Sequence, residues 1–174
     1  MRYSARHVWI RLLSNGMVRC GLDAFAAALL PDDCQIVILA NHSYVREGDE
    51  FGWVYGGNRT LPLSAPVSGT IVCRNTELLS TAQSVRQSPY EKGCVLTISP
   101  VMGALATARL SSPRNHMRRI RKRGRTLSSQ IQRILQSPDL GPCLNDGGTP
   151  ITRLNDLLGD DRYWAMLQKF VGGD

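Results

Sequence analysis

Apolar and polar positions over the first hundred residues alternate in short bursts and never settle into a long helical stripe. His7-Val8-Trp9-Ile10-Arg11-Leu12 has strand composition, Ser14-Asn15-Gly16 supplies a turn, and Met17-Val18-Arg19-Cys20 returns, which predicts a strand pair. Asp23 then precedes an alanine- and leucine-rich run that Pro31 ends, the pattern of a short helix with a side-chain cap. Residues 34–39 (CQIVIL) read as a buried strand, and 45–50 as a turn leading into another. Two strand-like runs, 51–55 and 60–64, flank Gly56-Gly57-Asn58-Arg59. Gly and Asn tolerate positive φ, so this is a tight-hairpin signal. Ala65-Pro66-Val67-Ser68-Gly69 follows as a kinked segment, then a strand at 70–73, a loop with a helical turn over 76–82, a turn at 88–93 and a closing strand at 94–98. Many short strands divided by Gly/Pro turns, with one small helix, predict a mostly β fold: a small antiparallel barrel or sandwich.

Beyond residue 100 the pattern changes. Residues 100–110 are small and apolar, a linker or a short helix. Ser112-Pro113 fits an N-cap and first helical residue, leading into a basic run that Gly124 is expected to break. Thr126 then caps a second predicted helix, in which Leu127, Ile131, Ile134 and Leu135 form a buried stripe. Pro138, Gly141-Pro142 and Asn145-Asp146-Gly147-Gly148 are turn or linker signals. In the last stretch Asp160-Asp161 stand near a helix start, with Trp164, Leu167 and Phe170 as residues that dock it on the barrel. The expected organisation is a barrel over 1–100, a basic, partly helical insertion over 101–150, and a C-terminal helix over 151–174.

A chain of 174 residues that is 43% hydrophobic is long enough for one good core with an appendage. No apolar run approaches the roughly 20 residues that cross a bilayer, so no membrane partner is expected. The five cysteines (Cys20, Cys34, Cys73, Cys94, Cys143) are widely spread without a CxxC pair. That argues against a disulfide framework or a zinc site and for buried thiols in a reducing compartment. Arg2, Arg6, Arg11 and Arg19 precede the first acid, Asp23, as in an organellar presequence. The orderly strand–turn–strand pattern there favours folded structure instead. There is no signal-peptide apolar region, and the expected location is the cytoplasm.

The net charge of +7 is concentrated. Nine of the 21 basic residues lie between Val101 and Ser137, a window with no Asp or Glu, leaving a mildly acidic body. Within it Arg114, Arg118, Arg119, Arg121, Lys122, Arg123 and Arg125 form a candidate site for a polyanion, either nucleic acid or an acidic protein surface. Read more plainly, the same run is a solvated insertion that binds nothing specific, and His116 within it is a solvated residue and no ligand.

Tyr3-Ser4, His7-x-Trp9, Gly21 opening the short helix, Val45-x-x-Gly48-Asp49, Ala65-Pro66-Val67-Ser68-Gly69 and Ser88-Pro89-Tyr90 followed by Gly93 occur in an order that resembles the glycine-cleavage H protein. The resemblance covers roughly residues 1–100. It resumes at Leu154-Asn155-Asp156-Leu157-Leu158, Tyr163 and Ala165-x-Leu167, which look like that family's final helix. It implies a barrel-sandwich hybrid with a hairpin-tip lysine amidated by lipoic acid, which carries an aminomethyl group between enzymes. Aligned without a gap from either flank, the family's lysine falls on Asn58 and the acidic residue three positions earlier on Tyr55. Asn58 offers a carboxamide, and Arg59 a guanidinium that stays protonated to a pKa above about 12. The chain's three lysines, Lys92, Lys122 and Lys169, all lie outside the hairpin.

The expected function is therefore a non-enzymatic, non-lipoylated H-protein-like module, a degenerate carrier without a cofactor. It would dock onto, scaffold or regulate glycine-cleavage or lipoate-dependent enzymes, with the hairpin tip Tyr55, Gly56, Gly57, Asn58 and Arg59 as its focus. Two alternatives stand beside it: a binding module presenting the basic run to nucleic acid or an acidic protein, and a true lipoyl carrier with a displaced lysine, Lys92. No paired-carboxylate, Ser/His/Asp, Cys/His or phosphate-loop arrangement points to an enzyme, and no metal site is expected.

Overall fold

The computed structural model describes residues 1–135 and 154–172. Cys143, the turn signals between Pro138 and Gly148, and the side chain of Leu135 lie outside the described residues.

Among the described residues, nine strands form two antiparallel sheets. They are β1 (Arg2–Tyr3), β2 (Val8–Leu12), β3 (Val18–Leu22), β4 (Gln35–Ile38), β5 (Tyr44–Val45), β6 (Glu50–Gly56), β7 (Arg59–Ser64), β8 (Gly69–Arg74) and β9 (Cys94–Pro100). Six pair in the order β1-β2-β3-β9-β8-β5, and three in the order β4-β6-β7. The chain passes to and fro between the sheets, so neither can form without the other. Their inward residues, among them Val8, Ile10, Ile71 and Ile98 from the larger sheet and Ile36, Val54, Leu61 and Leu63 from the smaller, join one buried cluster. This is the barrel-sandwich hybrid that the sequence implies. Pro62 sits on β7, an edge of the smaller sheet, where its missing N–H costs no ladder bond.

The helices and the thiols follow the local expectations with three exceptions. Helix α1 (Ala24–Leu29) is capped by Asp23, whose Oδ1 accepts from the Ala26 N–H at 2.8 Å. A 3-10 turn spans Thr76–Leu79, as expected, but the short α2 (Gln83–Gln87) carries no sequence signal, lacking a side-chain cap. Helix α3 (Ala104–Thr107) resolves the small apolar stretch as helix. The second exception is α4 (Pro113–Leu135), a single helix of 23 residues. Gly124 does not break it, and Thr126 caps nothing: its Oγ1 bonds the Lys122 carbonyl oxygen inside the helix. Packing explains this, because Leu127, Ile131 and Ile134 join the hydrophobic core cluster beside the C-terminal helices and outweigh one glycine. The third exception concerns thiols: Cys20, Cys34 and Cys94 are buried, whereas Cys73 is exposed. Burial pushes the Cys34 thiol up to about 12, with the Asp33 charge adding to it. Helices α5 (Leu154–Leu158) and α6 (Asp160–Leu167) end in a π-helical turn, Gln168–Gly172, and bury Tyr163, Trp164, Leu167 and Phe170.

A Cβ at Gly124 would meet nothing within 4 Å. Gly124→Ala is therefore predicted to stabilise the protein by about 1 kcal/mol, read as a shift of the urea midpoint. A loss of stability would show that the helix needs a flexible joint there.

Candidate functional site

Strands β6 and β7 pair in register up to Gly56 opposite Arg59, so Gly57 and Asn58 alone make the turn. Gly57 takes φ +60°, which matches the glycine that begins a type II′ hairpin turn. Asn58 is exposed at the apex, and Tyr55, 39% accessible, points outward three positions before it. Neither apical side chain is a primary amine. Lys92, Lys122 and Lys169 are exposed elsewhere: in the turn before β9, on α4 and in the last turn of the chain.

The C-terminal helix holds this hairpin from below. Trp164 lies so close to Gly56 that a Cβ there would come within 2.6 Å of its indole ring. Asp161 pairs with Arg59, whose guanidinium is thereby committed. The Tyr163 hydroxyl donates to the Leu29 carbonyl oxygen at 2.6 Å, tying α6 to α1. Burial is the chief reason its phenol lies well above the usual range.

A second constellation lies where α4 meets the barrel. His7 is fully buried, with a left-handed backbone at φ +61°, a conformation a non-glycine residue keeps only when its surroundings hold it there. Its Nδ1 meets Asp23 Oδ2 at 2.7 Å, and His116 Nε2 meets the same oxygen at 3.0 Å. The far nitrogen of each ring accepts from an arginine: Arg123 Nη1 to His7 Nε2 at 2.6 Å, and Arg119 Nη2 to His116 Nδ1 at 3.0 Å. A guanidinium can only donate, so each ring carries the proton that faces Asp23. Those inward protons leave no lone pair for a metal, and among the described residues no cluster of three or more His, Cys, Asp or Glu is arranged to hold one.

The arginines also reach backbone. Arg119 Nη2 donates to the Ser4 carbonyl oxygen at 2.6 Å, and Arg123 Nη1 to that of Phe170 at 2.7 Å. Tyr3 stacks on His116 at 3.9 Å between centroids. Burial, then the neighbouring Arg123 charge, lowers the Arg119 pKa. Burial alone would raise the Asp23 carboxyl, but the hydrogen bonds from His116, His7 and the Ala26 N–H outweigh it and hold the pKa at about 2.

The sequence reading needs correction here. His116 is only 4% exposed, because its ring fills the joint between Tyr3 and Asp23. The basic run divides: Arg119 and Arg123 turn inward onto the barrel, while Arg114, Arg118, Arg121, Lys122 and Arg125 are exposed. Asp23 is the cap that the sequence predicts, yet its second oxygen organises contacts 93 residues away, to His116, that no local pattern announces.

The two-sheet hybrid with an exposed hairpin tip defines the lipoyl-domain class of barrel-sandwich proteins. The family model "Glycine cleavage H-protein" matches residues 1–120, through the first two turns of α4, and the chain belongs to that family. It is 35% identical over 109 residues to the glycine cleavage system H protein of Mycobacterium leprae (strain TN), covering 62% of this chain and 83% of that one. It is 30% identical over 112 residues to the H protein of Opitutus terrae, covering 64% and 88%. The crystal structure of the H protein from Mycobacterium marinum is similar with a TM-score of 0.56 at 26% identity, over 66% of this chain and 91% of that one. The family's proteins are carriers and not catalysts, which agrees with the expectation of a non-enzyme.

Two predictions follow from these contacts. Asp23 binds its proton more weakly folded than unfolded, so the stability it contributes is complete above about pH 4 and lost as pH falls through about 2. That loss amounts to about 2 kcal/mol and is absent in Asp23→Asn, which itself costs about 3 kcal/mol at pH 7 by turning an amide toward two N–H donors. Urea melts of both proteins at pH 2, 3, 4 and 7 check this. Trp164→Ala is expected to cost about 3 kcal/mol and to speed amide exchange at Gly56–Arg59 ahead of β2 and β3, read by hydrogen-exchange mass spectrometry.

Proposed function

We propose that this member of the H-protein family is a non-lipoylated docking module, a scaffold or regulator for glycine-cleavage or lipoate-dependent enzymes. The observation that supports the reading is the hairpin apex. Asn58 is the exposed side chain at the centre of a tight turn whose two strands pair continuously from Gly52 opposite Leu63 to Gly56 opposite Arg59. By family resemblance this is the place of the lipoyl-lysine. A lipoyl amide needs a primary amine at the apex. A carboxamide cannot form it, and Arg59 beside it is held by Asp161. The residues present do not fit the family's prosthetic group, and no carrier step runs through them.

The barrel around the vacant position is nevertheless kept rigid, by Trp164 under Gly56 and by the Tyr163–Leu29 bond. A surface held in shape without its chemistry suits recognition. Such a module occupies the docking face of an enzyme that otherwise receives a loaded carrier, and so competes with that carrier.

Intact mass after co-expression with a lipoate ligase and lipoate tests this directly. The native protein is expected to show no mass gain, while Asn58→Lys, on the same turn, is expected to gain one lipoyl group. A lipoyl adduct on the native chain, mapped by peptide sequencing to Lys92 or another lysine, would overturn the reading and restore a carrier.

A further inference from the structure

The outward face of α4 carries a charge pattern that the docking reading does not use. Positions 114, 118, 121 and 125 fall within an arc of roughly 60° on a helix of 3.6 residues per turn. All four are arginine and all are exposed, with exposed Lys122 beside them. The opposite side of the same helix is the one pinned to the barrel by Arg119, Arg123 and Leu127. No Asp or Glu occurs in α4, and among the described residues none of these five cations takes part in an ion pair. The row is therefore straight, uncompensated and rigidly presented over about 16 Å, at 1.5 Å per residue.

We propose that this row binds the phosphate backbone of nucleic acid without reading its sequence. A protein partner is disfavoured by composition. Arginine anchors protein interfaces where aromatic and apolar neighbours surround and desolvate it, and this row has no aromatic residue and only Met117 at its margin. A membrane surface is disfavoured by orientation, because interfacial helices bury an apolar face in the lipid and that of α4 already packs on the core cluster, away from the arginine row. Phosphates demand only what the row supplies: closely spaced guanidinium forks that hold oxygens bidentately. Four arginines and a lysine over about 16 Å, beside a duplex that carries one phosphate per about 1.7 Å of axis with both strands counted, can neutralise up to about five phosphates. No aromatic side chain lies on this face to stack or select a base. The inference stands independently of Asn58 and of the enzymes the hairpin side engages.

Fluorescence anisotropy of the full chain with a labelled duplex of about 20 base pairs and a single strand of equal length tests it, between about 50 and 200 mM KCl. The slope of log affinity against log salt is expected near about −4 for the duplex and about −3 for the single strand, losses of about 250-fold and about 60-fold over that range. Arg118→Ser/Arg121→Ser/Arg125→Ser is expected to reduce the duplex slope by about 2 to 3 and binding at 100 mM salt by about 100-fold. Arg2→Ser/Arg46→Ser/Lys92→Ser removes the same net charge from exposed positions off the row and is expected to bind within about threefold of the native protein. Circular dichroism melts verify that both triple variants stay folded, as substitutions at exposed positions should. No saturable binding at 50 mM salt, equal losses in both variants, or competition by polyglutamate as effective as by nucleic acid would each overturn the proposal. The last result would point to an acidic protein instead.

Discussion

A carboxylate removed from water must find donors within reach, and the burial of Asp23 sets that demand for this whole molecule. One oxygen caps α1; the other receives His7 and His116, and behind the two rings stand Arg123 and Arg119. Five side chains from three places in the chain thus share one charge balance. The strained backbone at His7, the start of α4 and, through the Phe170 carbonyl, the last turn of the protein all depend on it. Removing one member leaves the others buried without partners, which is why such clusters act as joints more than as sources of net stability.

That joint explains how a barrel with a 23-residue helix attached behaves as one body. Helix α4 divides its basic residues between two tasks. Arg119 and Arg123 hold it to the barrel, and Arg114, Arg118, Arg121 and Arg125 remain in solvent. Helix α6 performs a similar service at the β6–β7 hairpin, where Trp164 fills the space that Gly56 leaves and Asp161 pairs with Arg59. The hairpin tip and the arginine row are therefore both supported by the residues that follow the barrel.

Much of this was legible in sequence because it is local. The strand pair over 7–12 and 17–20, the cap at Asp23 and the hairpin tip at Gly56–Arg59 each follow from residue types within a few positions of one another. Gly124 and His116 were misread for a common reason. A glycine's preference is worth about 1 kcal/mol and yields to a packed stripe such as Leu127–Ile131–Ile134. A histidine in a basic run looks solvated until the chain returns to place Tyr3 and Asp23 beside it.

Short-range patterns and residue chemistry suffice for the β-rich barrel, the family resemblance and an asparagine in the hairpin turn. The tertiary structure alone decided which arginines are free, which histidines are buried and what holds the hairpin. Those outcomes depend on contacts between residues about a hundred positions apart, such as His7 with Arg123 and Arg59 with Asp161. No periodicity encodes such contacts, because they are selected by the fit of whole elements and the need of a buried charge for partners.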